Sequence, residues 1–428
     1  MQAAINSANS GDTINVPAGN CTWTSTLVIT KSLTLQGAGI GNINITSSVG
    51  TGNTLITYTP ASPANDAVFR ITGFTFNSNS NSGIITLLTD SLIPQTKIRI
   101  DHNAFTNLVT AEPVLQIFGQ FYGVVDNNTF GNGPHVENFG LWSGWENWTY
   151  FTFDYGSSKC LYYEDNTIRT DDTLFTGGNG GRYCLRYNTI TSDPRTQGSW
   201  GLYPFLDAHG NMGPGGNYGT MGIEVYGNNL TMINDASPGY NFIDHRGGKG
   251  LVFWNKVNLN YGGDIQGGGP REEHADTENP PANNVIDGTP QHVNNAYYWN
   301  NRETKGLFSM GLGENIGSTL IAENTDFFNM VVPFNGASGM GCGTLAARPM
   351  TCIIGVGYWA TNQSCSTVDS TNVGANVAAP INGTLYKCTA PNTWAAYYTP
   401  YTYPHPLRAE AVPPDTTPPA APSGVAVN

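Results

Sequence analysis

The chain has 428 residues but only 18 Lys and Arg against 31 Asp and Glu, so charged residues are 11% of it and the net charge is −13; an ordinary soluble domain is about 25% charged. With 52 Gly, 26 Pro and 39% hydrophobic residues, turns are frequent, and coiled coils or helical bundles stitched by i,i+4 ion pairs are excluded. No apolar run reaches the roughly 18 residues a membrane helix needs, and a pI near 4.8 leaves no basic footprint for nucleic acid. A Gly- and Asn-rich β protein remains, long enough for two or three ordinary domains or for one solenoid, which grows by adding repeats.

No signal peptide precedes Gln2-Ala3-Ala4-Ile5, and one is expected either to have been removed or to lie outside this sequence. Downstream, an apolar residue, two variable positions and an Asn recur at Ile100 to Asn103, Val125 to Asn128, Tyr163 to Asn166, Leu185 to Asn188, Val225 to Asn228 and Val252 to Asn255, then more weakly at Tyr297 to Asn300 and Ile321 to Asn324. Steps between these Asn are 25, 38, 22, 40, 27, 45 and 24 residues. The short steps fit one coil of a parallel β-helix, and the long ones read as single coils carrying inserted loops. At a bend between strands, Asn tolerates left-handed backbone and can hydrogen-bond the same Asn one coil on.

The opening from Gln2 to Gly19, through Gly11-Asp12-Thr13, and the stretch Leu33-Thr34-Leu35-Gln36-Gly37-Ala38-Gly39 resemble the entry of the right-handed parallel β-helix proteins of the pectate-lyase-like superfamily. There a short amphipathic helix caps the open end and the Gly-Asp-Thr stretch starts the first coil. The resemblance covers about residues 2 to 335 and implies the fold; lyases, hydrolases, epimerases, phage tailspikes and adhesins share it. The expected architecture is therefore all-β: a right-handed parallel β-helix over 1–335 with a short N-terminal capping helix, and a disulfide-stapled C-terminal appendage over 336–408 covering the unpaired edge of the last coil. A Pro-rich linker over 409–428 follows; its Asp415-Thr416-Thr417-Pro418-Pro419 run resembles the lead into fibronectin type III modules of secreted bacterial proteins.

None of the seven cysteines sits in a Cys-x-x-Cys arrangement, so zinc, redox and c-type haem motifs are excluded. Closeness in sequence pairs Cys342 with Cys352 and Cys365 with Cys388, and similar contexts pair Cys160 with Cys184, leaving Cys21 over. Three bridges imply an oxidising, extracellular compartment, for a monomer or one part of a larger multi-module secreted protein.

Two segments match when slid by one coil: Phe205-Leu206-Asp207-Ala208-His209-Gly210 and Phe242-Ile243-Asp244-His245-Arg246-Gly247. Strand alternation points Leu206, Ala208, Ile243 and His245 inward and sets Asp207 and His209 outward beneath Asp244 and Arg246. Glu224 should also face outward, and Lys249 follows the Arg246 turn. For β-elimination on a uronate polysaccharide, a cation must neutralise the sugar carboxylate so that the neighbouring C–H becomes acidic, and a base must take that proton. Arg246, assisted by Lys249, suits the first role and His209 or a nearby Tyr the second, with His209 preferred. The stretch from Asp244 to Asn255 is weakly similar to the Arg-His-Gly coil of the alginate lyase and chondroitinase B family, with the order His-Arg-Gly here and without that family's full set of metal-binding acids. Two alternatives stand: a glycoside hydrolase using Asp207 and Asp244 about 5 Å apart, nearer retaining than inverting geometry, and a non-catalytic glycan-binding adhesin.

A second column, Asp101, Asp126 and Glu164 with Arg186 in the next coil, holds either a cation such as calcium or solvated charges. No cofactor is otherwise called for. Trp142, Trp145 and Trp148 in one loop, and Tyr218 in an insert overhanging Asp207 and His209, are the candidate sugar-stacking aromatics. The most acidic insert runs from Gly267 to Pro280.

Overall fold

The structure, a computed structural model, describes all residues except 79–81, 109–112, 132–135, 140–152, 171–173, 193–205, 211–217, 234–241, 260–284, 287–288, 304–305, 313–320, 362–364, 366–382 and 410–428. The chain winds as a parallel β-helix. A helix, Gln2–Ser7, buries Ile5 at the open end. The first coil then lays Thr13–Val16 in a first sheet, Gly19–Trp23 in a second and Leu27–Ile29 in a third. Seven further coils repeat the order and the first two sheets continue past them, giving two 11-stranded sheets and one of eight among the described residues. Side chains alternate in and out, so the inward Ile, Leu, Val and Phe of most strands stack into one apolar column that no single coil could bury alone.

The bend between the first and second sheets is built by the repeating Asn. Amide Nδ2 groups donate to the Oδ1 of the next coil from Asn103 to Asn128 (3.2 Å), Asn166 (3.1 Å), Asn188 (3.0 Å), Asn228 (3.0 Å), Asn255 (2.9 Å) and Asn301 (2.9 Å) in turn. Each Oδ1 also accepts the backbone N–H of the Asn below it, as Asn166 does from Asn128 at 3.0 Å. The left-handed residue is the one before the ladder Asn: His102, Asn127, Asp165, Tyr187, Gly227, Trp254 and Asn300 all have φ between 51° and 69°. The seventh ladder member is accordingly Asn301, and Asn300 takes the bend. Replacing Asn166 with Ala leaves the Asn128 N–H without an acceptor and its amide with the Ile100 carbonyl alone, and should cost on the order of 1–3 kcal/mol. A urea midpoint unchanged from wild type would remove the ladder from the stability of the fold.

The appendage does more than close the last coil. Met340–Thr344, Gly357–Thr361, Gly383–Ala390 and Thr393–Tyr398 form a four-stranded sheet laid along the outer face of the first sheet. Phe253 stacks on Trp299 at 4.1 Å, Trp299 meets Trp359 at 5.1 Å, and the Tyr297 hydroxyl donates to the Gly355 carbonyl at 2.7 Å. This wall is a second apolar cluster outside the solenoid. Beyond Tyr398 the tail runs back towards the early coils, where Arg99 Nη1 donates to the Leu407 carbonyl at 3.1 Å.

Two disulfides staple the appendage, but the pairing differs from the expected one: Cys342 joins Cys365 and Cys352 joins Cys388. The folding of the appendage, and not closeness in sequence, sets which sulfurs meet; Cα separations are 5.5 and 6.1 Å. Cys160 and Cys184 are buried thiols, and Cys21 is an exposed one. The two thiols lie 24 residues apart in a coil step where the ladder Asn166 and Asn188 lie 22 apart, so Cys184 faces Tyr162 and not Cys160.

Candidate functional site

The third sheet carries the expected quartet. Leu206 pairs with Ile243, Asp207 with Asp244 and Ala208 with His245. One residue on, the His209 N–H donates to the Gly177 carbonyl at 3.0 Å and the Arg246 N–H to the Ala208 carbonyl at 2.9 Å, continuing the ladder. His245 points inward, fully buried, its Nδ1 2.6 Å from the Tyr298 hydroxyl. The turn after Arg246 requires glycine at two positions. A side chain on Gly247 would meet the His209 and Gln291 carbonyls at 3.0 Å, and Gly248, at φ 74°, lies against the Thr220 carbonyl.

Arg246 is clamped by one aspartate and approached by the other. Its Nε donates to Asp207 Oδ1 at 2.9 Å and its Nη2 to Oδ2 at 2.5 Å, while Asp244 Oδ2 lies 3.6 Å from Nε. About 10% of each of the three side chains remains exposed, so the pairing is fixed and largely shielded from water. Burial lowers the His209 pKa below its usual 6.5, outweighing the attraction of Asp207. The imidazole is therefore neutral at pH 7. Its Nδ1 lies 3.1 Å from the Gly210 carbonyl, an acceptor only, so Nδ1 carries the proton and Nε2 is the basic nitrogen.

The outward column continues through residues that the sequence reading did not single out. Thr86, Gln116, Glu137, Thr176, Asp207 and Asp244 stand in register on successive coils, about 24 Å of wall at 4.8 Å per coil. Gln116 Nε2 donates to Glu137 Oε2 at 2.6 Å. The spacing of the ladder Asn gave the coil period; the loop lengths between coils hid which residues of the third sheet line up.

Among the described residues, other expected site members lie elsewhere. Glu224 does face outward, but from the first sheet, where it is sealed beneath the appendage: the Gly156 N–H donates to its Oε1 at 2.7 Å and the Tyr398 hydroxyl to its Oε2 at 2.9 Å. Lys249 opens a first-sheet strand, where its charge opposes Lys387 of the appendage. Tyr218 packs partly buried against the aromatic cluster of the first-sheet wall, and its N–H donates to Asn179 Oδ1 at 2.6 Å. Trp142, Trp145, Trp148 and the Gly267 to Pro280 insert lie outside the described residues.

The acidic column stacks as expected, Asp101 beside Asp126, Glu164 and Arg186, but it is neither solvated nor a calcium site. All three acids are fully buried and neutralised by arginines. Arg70 pairs with Asp101 at 2.5 Å, Arg99 with Asp126 at 3.2 Å, and Arg186 and Arg408 with Glu164 at 2.6 and 2.8 Å. Burial pushes the Asp101 carboxyl up, yet hydrogen bonds from Arg70 and His102 hold it below the usual carboxylate range. At Glu164, Arg186 and Arg408 do the same. Carboxylate oxygens committed to four guanidinium groups do not fit calcium, which takes six to eight oxygens.

No family model and no curated protein matches this chain. A solved structure, ORF18 of Geobacillus virus E2, is similar over 74% of this chain and 58% of its own length, with 15% identity and a TM-score of 0.41. The chain thus spans under two thirds of that protein.

Proposed function

We propose that the chain is a secreted polysaccharide-active protein of the pectate-lyase-like type, cleaving an acidic glycan by β-elimination on the outer face of the third sheet. The observation that carries this reading is the quartet itself: a guanidinium held in place by Asp207 beside a neutral imidazole, on a polar wall that extends for several coils. Arg246 pairs with the uronate carboxylate, which acidifies the neighbouring C5–H. His209 Nε2 takes that proton, the C5–H electron pair becomes the C4=C5 double bond, and the C4–O bond breaks. The departing oxygen then takes a proton from the imidazolium or from water. Asp207 orients Arg246. The two disulfides support an oxidising compartment.

One observation favours a second reading. Two carboxylates, Asp207 and Asp244, face one guanidinium, an excess of negative charge that opposes a uronate and suits hydrolysis of a glycosidic bond by a carboxylate pair. Incubation with alginate, pectate, chondroitin and neutral glycans separates the readings. Unsaturated-uronate absorbance together with new reducing ends means a lyase; reducing ends alone mean a hydrolase. Neither, with glycan retained, means a binder. In the lyase case Arg246→Ala and His209→Ala should each lower kcat by about 10²-fold or more while the protein stays folded. The acid limb of kcat/KM should fall below pH 6.5, because the base must be neutral. Full activity in both variants removes the assignment.

A further inference from the structure

The outer face of the second sheet is unlike the other two. The first sheet's face is sealed by the appendage, and the third carries Glu137, Asp207 and Asp244. Along the second, outward positions are Thr or Asn on nearly every coil. Thr129, Thr167, Thr189 and Asn229 stand in one register column, the three threonines exposed. Two residues on, Thr191, Thr231 and Asn258 form a parallel column. Hydroxyl and amide groups therefore repeat about 4.8 Å along the solenoid and about 6.7 Å across it. Some are already ordered by one another, as where Asn258 Nδ2 donates to Asn229 Oδ1 at 2.8 Å.

Charge separates this face from the rest of a −13 chain. Its outward columns hold Arg169, Lys256 and Arg302, and the described strands of the sheet contain one acid, Glu303, on the opposite side of its strand beside Val257. We infer that this face is a second glycan-binding surface, which holds an acidic polysaccharide by threonine and asparagine hydrogen bonds and by Arg169 and Lys256. The inference rests on the acidic substrate proposed above and names where that polymer is gripped, away from the carboxylates of the third sheet. A polymer held here stays near the reacting wall although the chain as a whole repels it.

Native gels containing pectate, alginate, chondroitin sulfate or neutral dextran test it. Wild type should be retarded by at least one acidic glycan and not by dextran. Arg169→Glu/Lys256→Glu should weaken that retardation about tenfold and leave turnover of a short oligosaccharide unchanged. Thr167→Tyr/Thr189→Tyr, which blocks the face without changing charge, should weaken it as well. Arg246→Ala should lose turnover and keep retardation. If wild type cleaves nothing but the face variants still lose retardation, the lyase reading falls and this surface stands. Face variants retarded like wild type, loss of retardation in Arg246→Ala, or equal retardation by dextran would each overturn the surface. So would ice-crystal shaping by a protein that no glycan retards.

Discussion

Replacing Arg186 with Ala should cost about 3–5 kcal/mol and release the tail from the solenoid. Arg186 is fully buried. Its Nε and Nη2 hold Glu164 at 2.8 and 2.6 Å, its Nη1 donates to the Tyr226 hydroxyl at 2.9 Å, and its guanidinium also donates to the Tyr401 and Thr402 carbonyls at 2.8 and 2.9 Å. It lies 4.3 Å over the Tyr162 ring. Truncation leaves a buried carboxylate with Arg408 as its remaining cation beside the His405 N–H, and leaves two tail carbonyls without the donors they had. The loss should appear as a lower urea midpoint and as faster proteolysis between 399 and 408. Arg186→Met/Glu164→Leu, which removes both charges, should recover much of the stability. A single variant as stable and as protease-resistant as wild type would mean that the tail is held by its aromatic contacts alone.

Glu224→Gln should reverse the pH trend of stability near neutrality. Burial pushes the Glu224 carboxyl up to about 7, from the usual 4.5, against hydrogen bonds from Gly156 and Tyr398 and the pull of Arg186. The folded chain therefore binds this proton more tightly than the unfolded one, and stability falls as pH rises from 4.5 to about 7, by about 3 kcal/mol in all. His245 and His405 act in the opposite direction. Burial lowers both to about 4, so their contribution is complete above 6.5 and is lost as pH falls towards 4. Gln mimics the protonated carboxyl and can donate to the Tyr398 hydroxyl. The variant should thus match wild type near pH 4.5 and exceed it by about 3 kcal/mol above pH 7. Parallel urea-stability curves across that range would show that Glu224 stays ionised in the fold.

The winding and the register of the quartet were legible because both depend on periodicity. Matching Leu206-Asp207-Ala208 with Ile243-Asp244-His245 needed only a coil step and strand alternation. The fate of Glu224, Asp101, Asp126 and Glu164 was not legible, since outward from the solenoid is not outward to water when a segment about 200 residues away lies on the wall. One sign was present: Cys184, Leu251, Phe253, Tyr297 and Trp299 are outward residues of the same sheet, and a solvated face would not be so apolar. Bridge pairing failed for a related reason, because neighbours in sequence were used where the fold of the appendage decides.

The returning tail also ties consecutive coils to one another. Arg408 grips Glu164, Asp165 and Asp126, in the fifth and sixth of the eight three-strand coils. With Arg99 and Arg186 holding its carbonyls from the coils on either side, the segment spans four consecutive coils like a strap. Prising any two of these coils apart would first require peeling that strap away.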